Sequence, residues 1–195
     1  MMVKPTLELE QKLWEQGYNY VCGTDEVGRG CFAGPVVVGA VILPKSFNLP
    51  PGLADSKLVK PKLREKLSKI IKQEALAWSV AEVSVSVINK VGIGQATQVA
   101  FRKAVRSLSP RADFVLIDAF NIKHLNRKNQ KPVKAGDKIC ASISAASIVA
   151  KVYRDKLMKK LHHKYPKYGF AKHKGYGTKF HQEAIKKHGL SRIHR

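Results

Sequence analysis

Two adjacent carboxylates, followed by an arginine between glycines, give this sequence its clearest potential for chemistry. The stretch 25–30 reads Asp-Glu-Val-Gly-Arg-Gly and follows residues 18–24, where apolar residues alternate with small or polar ones as in a half-buried strand. Carboxylates at a strand end are suited to a divalent cation, and glycines let main-chain N–H groups approach a phosphate closely. The stretch therefore predicts a metal site beside a phosphate site. An ordinary turn with solvated acids is the alternative.

The charge of the chain indicates a polyanionic partner. Its 195 residues include 36 Lys+Arg and 14 Asp+Glu, which gives a formal net charge of +22. Residues 121–195 hold 20 of the basic side chains but only 3 of the acidic ones. This imbalance is typical of a nucleic-acid-binding surface and favours the C-terminal part as its location. Charge alone also permits a protein that merely neutralises RNA.

The length and the apolar segments limit the class of protein. A chain of 195 residues with 44% hydrophobic residues is long enough for one sizeable core and short for two, so we expect a single domain over residues 1–195. Residues 1–16 lack the apolar segment of a signal peptide, and the longest apolar run, 33–43, is too short to span a bilayer. We therefore expect a soluble, cytoplasmic protein without a membrane partner.

The cysteines and histidines lack the spacing of a metal motif. Cys22, Cys31 and Cys140 are odd in number and contain no Cys-x-x-Cys pair, so we expect reduced packing residues. Six of the seven histidines fall within residues 162–194, also without zinc-site spacing. We interpret them as surface groups that face nucleic acid.

Hydrophobic periodicity predicts alternating strands and helices. We expect strands at 18–24, 34–43, 75–85 and 113–118, and helices at 61–73, 93–108, 142–163 and 178–188. The first three strands suggest an antiparallel start. The fourth strand ends in Asp118 and so repeats the arrangement at Asp25. Small residues fill the first half of the third helix, which would let that helix lie close against a sheet.

Few acids remain in the basic part of the chain, and each needs a reason to be there. Asp137 lies just ahead of the long predicted helix and has no ordinary reason to be there. The structural alternative is a carboxylate of a turn or of the approach to the helix. Asp155 and Glu183 fall on predicted helices with Lys159 and Lys187 at helical spacing, so we interpret both as ion pairs. Asp137 is therefore the remaining candidate for a functional carboxylate.

From residue 18 to residue 195 the chain resembles bacterial ribonuclease HII. Any one of the matching segments is weak, but their joint occurrence in order over most of the chain is specific. They are residues 23–30, 34–37, 55–57, 116–118, 136–137, 144–151, 153–155, 168–170 and 173–178.

The resemblance implies an α/β protein with a ribonuclease H-like fold, in which helices flank a mixed central sheet and a basic helical segment covers about 142–195. It also implies an endonuclease that cuts the RNA strand of RNA/DNA hybrids and incises 5′ of ribonucleotides embedded in duplex DNA, most simply as a monomer. Two Mn²⁺ or Mg²⁺ ions would assist. The implied metal ligands are Asp25, Glu26, Asp118 and Asp137.

Substrate contacts are implied by the same resemblance. Gly28, Arg29 and Gly30 would read the 2′-hydroxyl, the group that separates RNA from DNA. Tyr176 would pack against the next deoxyribose, and Lys57 would contact a phosphate. Lys151 and Arg154, close to one face of the long helix, are weaker candidates for phosphate contacts.

Two other functions remain open. The acids alone permit another two-metal nuclease of this broad fold, of the resolvase or exonuclease type, against which the Gly-Arg-Gly stretch and Tyr176 argue. The net charge alone permits a non-catalytic RNA-binding protein. Acids clustered at strand ends argue against that, because carboxylates repel phosphate unless a metal intervenes.

Overall fold

A mixed five-stranded sheet forms the centre of the protein. The computed structural model describes residues 4–195, so residues 1–3 of the charged N-terminal stretch lie outside the described residues. The strands are β1 (Val21–Val27), β2 (Val36–Ile42), β3 (Ala77–Val83), β4 (Phe114–Asp118) and β5 (Gln130–Val133). Their spatial order is β3-β2-β1-β4-β5. The first three strands pair antiparallel, as expected, whereas β4 and β5 join in parallel.

Helices cover both faces of the sheet. In the described part of the chain they are α1 (Glu8–Glu15), α2 (Pro61–Glu74), α3 (Val85–Val91), α4 (Ile93–Arg106), α5 (Gly136–Ile139), α6 (Ala141–Lys164), α7 (Phe170–His173) and α8 (Lys179–His188). The local sequence determines where two of these helices begin. Pro61 opens α2, where its missing N–H costs nothing, and the Thr178 hydroxyl accepts from the N–H of His181 to cap α8.

The interior strand β2 is buried on both faces, which explains why it is a continuous apolar run. Val36, Val38 and Ala40 belong to the cluster that packs on α4, whereas Val41 belongs to the cluster that packs on α6. The strand therefore joins two apolar layers, and its burial contributes to both.

Small residues bring α6 directly onto the sheet, as the sequence predicts. A Cβ added to Gly23 of β1 would lie 2.1 Å from the main-chain carbon of Ser142, and one on Gly39 of β2 would lie 2.4 Å from the carbonyl oxygen of Ala146. Larger residues in the strands would push the helix away. This contact fixes α6 against β1, the strand that carries Asp25.

All four strands and four helices predicted from periodicity are present, with ends shifted by up to three residues. The resemblance also predicted the mixed sheet and the helical C-terminal region correctly. The sequence analysis missed α1, α3, α5, α7 and β5. The last of these has only four residues and contains Pro132, which is tolerated because β5 is an edge strand.

Candidate active site

A cleft of about 660 Å³ opens where β1 ends. Eight of the eleven predicted site residues line it: Asp25, Glu26, Gly28, Arg29, Gly30, Lys57, Lys151 and Tyr176. Asp118, Asp137 and Arg154 do not line it, and Arg154 is fully buried. The topology explains the convergence. Strands β1 and β4 are parallel, with Thr24 opposite Ile117, so Asp25 and Asp118 follow at the same edge of the sheet.

Asp25 is a buried carboxylate at the floor of the cleft. It is 6% exposed, and its Oδ1 accepts a hydrogen bond from the main-chain N–H of Glu26 at 2.7 Å. Burial raises the pKa of Asp25 well above its ordinary value, the Ser147 hydroxyl opposes this, and the charge of Glu26 adds to it. Burial likewise raises the pKa of Glu26, against the attraction of Arg29. Both carboxylates therefore lack enough compensating positive charge.

Asp118 and Asp137 come together through the turn ahead of α6. Oδ1 of Asp118 accepts from the main-chain N–H of Gly136 at 2.7 Å, which ties the end of β4 to the residue before Asp137. Asp137 is 5% exposed, and its Oδ2 lies 3.9 Å from Nζ of Lys57 in the cleft. Burial, together with the charges of Asp55 and Asp118, raises the pKa of Asp137.

Lys57, in the loop between β2 and α2, brings a positive charge to this acidic group. Its main-chain N–H donates to Oδ1 of Asp55 at 2.9 Å, and its side chain is largely exposed. Partial burial alone would lower the pKa of Lys57, but the carboxylates of Asp55, Asp137 and Asp25 together raise it. The ammonium group therefore stays charged and accessible to an anion.

The donor chemistry of the site fits a hard divalent cation. Buried carboxylates that repel one another would be stabilised by such an ion, and carboxylate oxygens are its preferred ligands. Within residues 4–195, no three Asp, Glu, His or Cys side chains are already placed around one ion position. A metal ion held by these carboxylates would therefore require their side chains to adjust.

Arg29 links the acids to the glycine turn. Its Nη1 lies 3.7 Å from Oε1 of Glu26, and its guanidinium carbon lies 5.3 Å from the centre of the Phe120 ring. The side chain is 50% exposed, so it remains available to an anion. Gly28, with φ +88°, turns the chain sharply after β1.

Comparison with known proteins decides the family. A sequence profile described as ribonuclease HII matches residues 22–195. The chain belongs to the ribonuclease HII family. Ribonuclease HII of Desulfitobacterium hafniense (strain DSM 10664 / DCB-2) is 48% identical over 193 residues, which cover 99% of this chain and 74% of that protein. Ribonuclease HII of Alkaliphilus metalliredigens (strain QYMF) is 47% identical, with 97% of this chain and 94% of that protein covered.

A solved structure agrees with the assignment. The crystal structure of ribonuclease H2 from Pyrococcus horikoshii OT3 superposes with a TM-score of 0.73 at 26% identity, over 90% of this chain and 92% of that one. Membership in the ribonuclease HII family makes this chain a hydrolase, an endonuclease of the ribonuclease H type that acts on nucleic acid and depends on a divalent metal. No helix in residues 4–195 is long and apolar enough to cross a membrane.

Tyr176 faces the cleft from the C-terminal region of this ribonuclease HII. It is 37% exposed, and Nζ of Lys151 lies 5.7 Å from the centre of its ring. Lys151 also bonds Oδ1 of Asp155 at 2.7 Å, so its charge is partly neutralised. Lys57, whose side chain is largely exposed, is therefore better placed than Lys151 to attract an anion.

The phosphate contact expected of Arg154 is not available in this structure. Its side chain is fully buried, and its guanidinium donates to the carbonyls of Pro35 at 3.0 Å, Lys174 at 2.9 Å and Ala33 at 3.1 Å. Sequence pattern could not show this, because charged side chains are usually exposed and these carbonyls lie far away along the chain. Arg154 instead holds loops around the cleft in place.

The ion pairs expected for Asp155 and Glu183 are wrong. Asp155 pairs with Arg64 at 2.9 Å and with Lys151 at 2.7 Å, not with Lys159. Within the described residues, Glu183 has no ion pair. Asp155 thus reaches across to α2 because Arg64 is itself buried and needs a counter-charge.

The histidines also differ from expectation. His181 and His194 are buried rather than exposed, and together with His173 they surround the ring of Phe170. The three cysteines are free and buried, as predicted. No spacing in the sequence signals the histidine cluster.

Proposed function

We propose that this ribonuclease HII hydrolyses the RNA strand of RNA/DNA hybrids and cuts duplex DNA on the 5′ side of an embedded ribonucleotide. The observation that carries the proposal is the convergence, in one cleft, of Asp25 and Glu26 with the glycine turn and Tyr176. Acids at that position suit phosphodiester hydrolysis, whereas an exposed main chain and an aromatic ring suit the reading of a sugar.

The four carboxylates Asp25, Glu26, Asp118 and Asp137 would hold the divalent ions. When bound, two such ions supply a hydroxide-like water and stabilise the leaving 3′ oxygen. The chain's own part is to orient these carboxylates, and a bound cation would offset the cost of burying their charge. The hydrogen bond from the N–H of Glu26 orients Asp25, and the bond from the N–H of Gly136 orients Asp118.

Cleft residues other than the carboxylates would recognise the substrate. Gly28, Arg29 and Gly30 would approach the 2′-hydroxyl through main-chain groups, and an added Cβ on Gly30 would meet no atom within 4 Å, so this side of the turn is open to a ligand. Lys57 would contact a phosphate. Tyr176 would pack on the following deoxyribose and exclude a second 2′-hydroxyl there.

A duplex with one embedded ribonucleotide tests the proposal. With Mg²⁺ or Mn²⁺, we expect a single cut 5′ of the ribonucleotide that leaves a 3′-hydroxyl and a 5′-phosphate, because water and not the 2′-hydroxyl attacks phosphorus. The all-DNA duplex and a reaction in chelator should stay uncut. End-labelled gels with phosphatase treatment identify the ends. A 2′,3′-cyclic phosphate product, or equal cutting of all-DNA duplex, would contradict the proposal.

Loss of the Tyr176 ring should affect the junction more than the hybrid. Tyr176→Ala should lower kcat/KM on the single-ribonucleotide duplex by about tenfold and change cleavage of a continuous hybrid less, whereas Tyr176→Phe keeps the ring and the rate. Tyr153→Ala is the matched control, because Tyr153 is similarly exposed at 39% but lies outside the cleft. Full activity of Tyr176→Ala at the junction would refute the sensing role.

A further inference from the structure

Three segments that are distant in sequence meet beside the cleft. We call them the glycine loop (residues 28–35), the tyrosine loop (residues 173–177) and the tail segment (residues 191–195). The first two carry the proposed sugar-reading groups, and the third has no role in the proposed function. Hydrogen bonds join the glycine loop directly to each of the other two segments, and the tail segment is linked to the tyrosine loop through His181 of α8.

Arg154 and the main chain join the glycine loop to the tyrosine loop. The guanidinium of Arg154 donates to Ala33 and Pro35 in the first loop and to Lys174 in the second. The N–H of Phe32 also donates to the carbonyl of Gly175 at 2.9 Å. Because Arg154 projects from the rigid helix α6, this junction is anchored to the core.

Arg195 joins the glycine loop to the tail segment. Its Nε and Nη2 donate to the carbonyl of Gly34 at 2.9 and 2.7 Å, and its Nη1 donates to the carbonyl of Arg29 at 3.0 Å. The main chain adds two bonds, from the N–H of Arg195 to Phe32 at 2.9 Å and from the N–H of Gly34 to Ile193 at 2.8 Å. The guanidinium therefore spans the glycine loop and holds the carbonyl of Arg29 itself.

Two buried histidines join the tail segment to the tyrosine loop. The N–H of Ser191 donates to Nδ1 of His194 at 2.8 Å, so the proton of a neutral His194 is on Nε2. The Nε2–H group of His194 donates to Nε2 of His181 at 3.0 Å. Nδ1 of His181 therefore carries a proton and donates it to the carbonyl of Tyr176 at 2.8 Å. This chain of bonds has one consistent direction and ends on the main chain of Tyr176.

From this closed set of contacts we propose that Arg195 is a positioning residue that sets the specificity of the cleft, by keeping the glycine loop in register with Tyr176. Arg195 contacts a carbonyl of the loop that would read the ribose. Its neighbour His194 is linked through His181 of α8 to the carbonyl of Tyr176, the residue that would test the next sugar. A fixed distance between the two readers is what recognition of a ribonucleotide followed by a deoxyribonucleotide requires. The inference rests on the proposed function.

Arg195→Ala and Arg192→Ala form a matched pair for the test. Each removes one positive charge from the same segment, but Arg192 is exposed and has no hydrogen bond from its side chain among the described residues. We expect the single-turnover rate on the single-ribonucleotide duplex to be about tenfold lower in Arg195→Ala than in Arg192→Ala. The Kd for the uncleaved duplex should be equal in the two variants, because the loss of phosphate attraction is the same.

Rescue separates positioning from a general loss of structure. Arg195→Lys supplies the charge but not the fork that reaches two carbonyls, so its rate should lie between those of Arg195→Ala and the unmodified protein. Guanidinium chloride at about 20 mM should raise the rate of Arg195→Ala relative to NaCl of equal ionic strength, although guanidinium weakens folded proteins in general.

The outcomes are distinct. If the unmodified protein fails to cut the duplex, the proposed function fails. If it cuts but Arg195→Ala matches Arg192→Ala in rate, or if Arg195→Ala loses affinity for the duplex and keeps its rate, the positioning role is wrong. Absence of rescue by both lysine and guanidinium would also overturn it, since the effect would then come from the fold.

Discussion

Asp25→Asn should abolish cleavage and at the same time raise the melting temperature of the metal-free protein. Cleavage is lost because a proposed metal ligand disappears, and Asp118→Asn or Asp137→Asn should have the same effect on activity, by about a thousandfold or more. Stability rises because the buried carboxylate has a pKa well above its ordinary value, which means that its charged form costs folding free energy. Asparagine keeps the acceptor for the N–H of Glu26 and removes the charge.

The raised pKa of Asp25 determines how the difference in stability between Asp25→Asn and the unmodified protein changes with pH. The folded protein binds a proton at Asp25 more tightly than the unfolded chain does, so the destabilisation is absent below the ordinary carboxyl pKa and complete above the raised pKa of the folded state. The melting temperatures of Asp25→Asn and the unmodified protein should therefore converge at low pH and separate as the pH rises. Calorimetry in chelator measures both curves.

Metal binding should act against this difference in melting temperature. Mg²⁺ or Mn²⁺ stabilises only a protein that holds it, so either ion should raise the melting temperature of the unmodified protein more than that of Asp25→Asn. Glu65→Gln is the control, because Glu65 is exposed on α2 and carries the same charge. A lower melting temperature for metal-free Asp25→Asn, or cleavage by it at the normal rate, would contradict the assignment of Asp25.

The sequence predicts the acidic half of the site well because strand periodicity determines where a strand ends. Asp118 ends β4, whereas Asp25 lies near the end of β1, which continues to Val27 beyond its predicted end. Two parallel neighbours nevertheless deliver both acids to one edge of the sheet. Asp137 is predicted differently, as one of few acids in a basic region, and the bond between Gly136 and Asp118 explains its place. These inferences use local pattern and need no knowledge of distant contacts.

The supporting half of the site could not be predicted in the same way. Arg154 is a charged residue at a fully buried position, and it is satisfied by carbonyls that lie 119, 121 and 20 residues away. Glu10 is similar, since it is buried on the missed helix α1 and accepts from the N–H of Ser142 at 2.7 Å. Buried polar groups break the pattern of apolar and polar residues on which sequence reading depends. Their partners follow from the tertiary structure alone.

Gly28→Ala should damage both the fold around the cleft and its activity. An added Cβ would lie 2.1 Å from Nε of Arg154, and the residue has φ +88°, which disfavours any side chain. Arg154 cannot move aside cheaply, because its guanidinium is buried and bonds three carbonyls. We expect a loss of about 2–4 kcal/mol in the free energy of unfolding and a fall in cleavage of about a hundredfold.

Gly30→Ala separates strain from substrate contact, because the same substitution two residues later meets no atom within 4 Å and needs no left-handed backbone. Its melting temperature should equal that of the unmodified protein, while its kcat/KM should fall if main-chain groups of Gly30 approach the ribose. Urea unfolding and single-turnover cleavage measured on both variants give the comparison. Normal stability in Gly28→Ala would show that Arg154 moves to make room for the new side chain. The claim that Arg154 joins the glycine loop rigidly to the tyrosine loop would then be wrong. Normal activity in Gly30→Ala would instead move the reading of the 2′-hydroxyl away from Gly30, toward the side of the turn that carries Arg29.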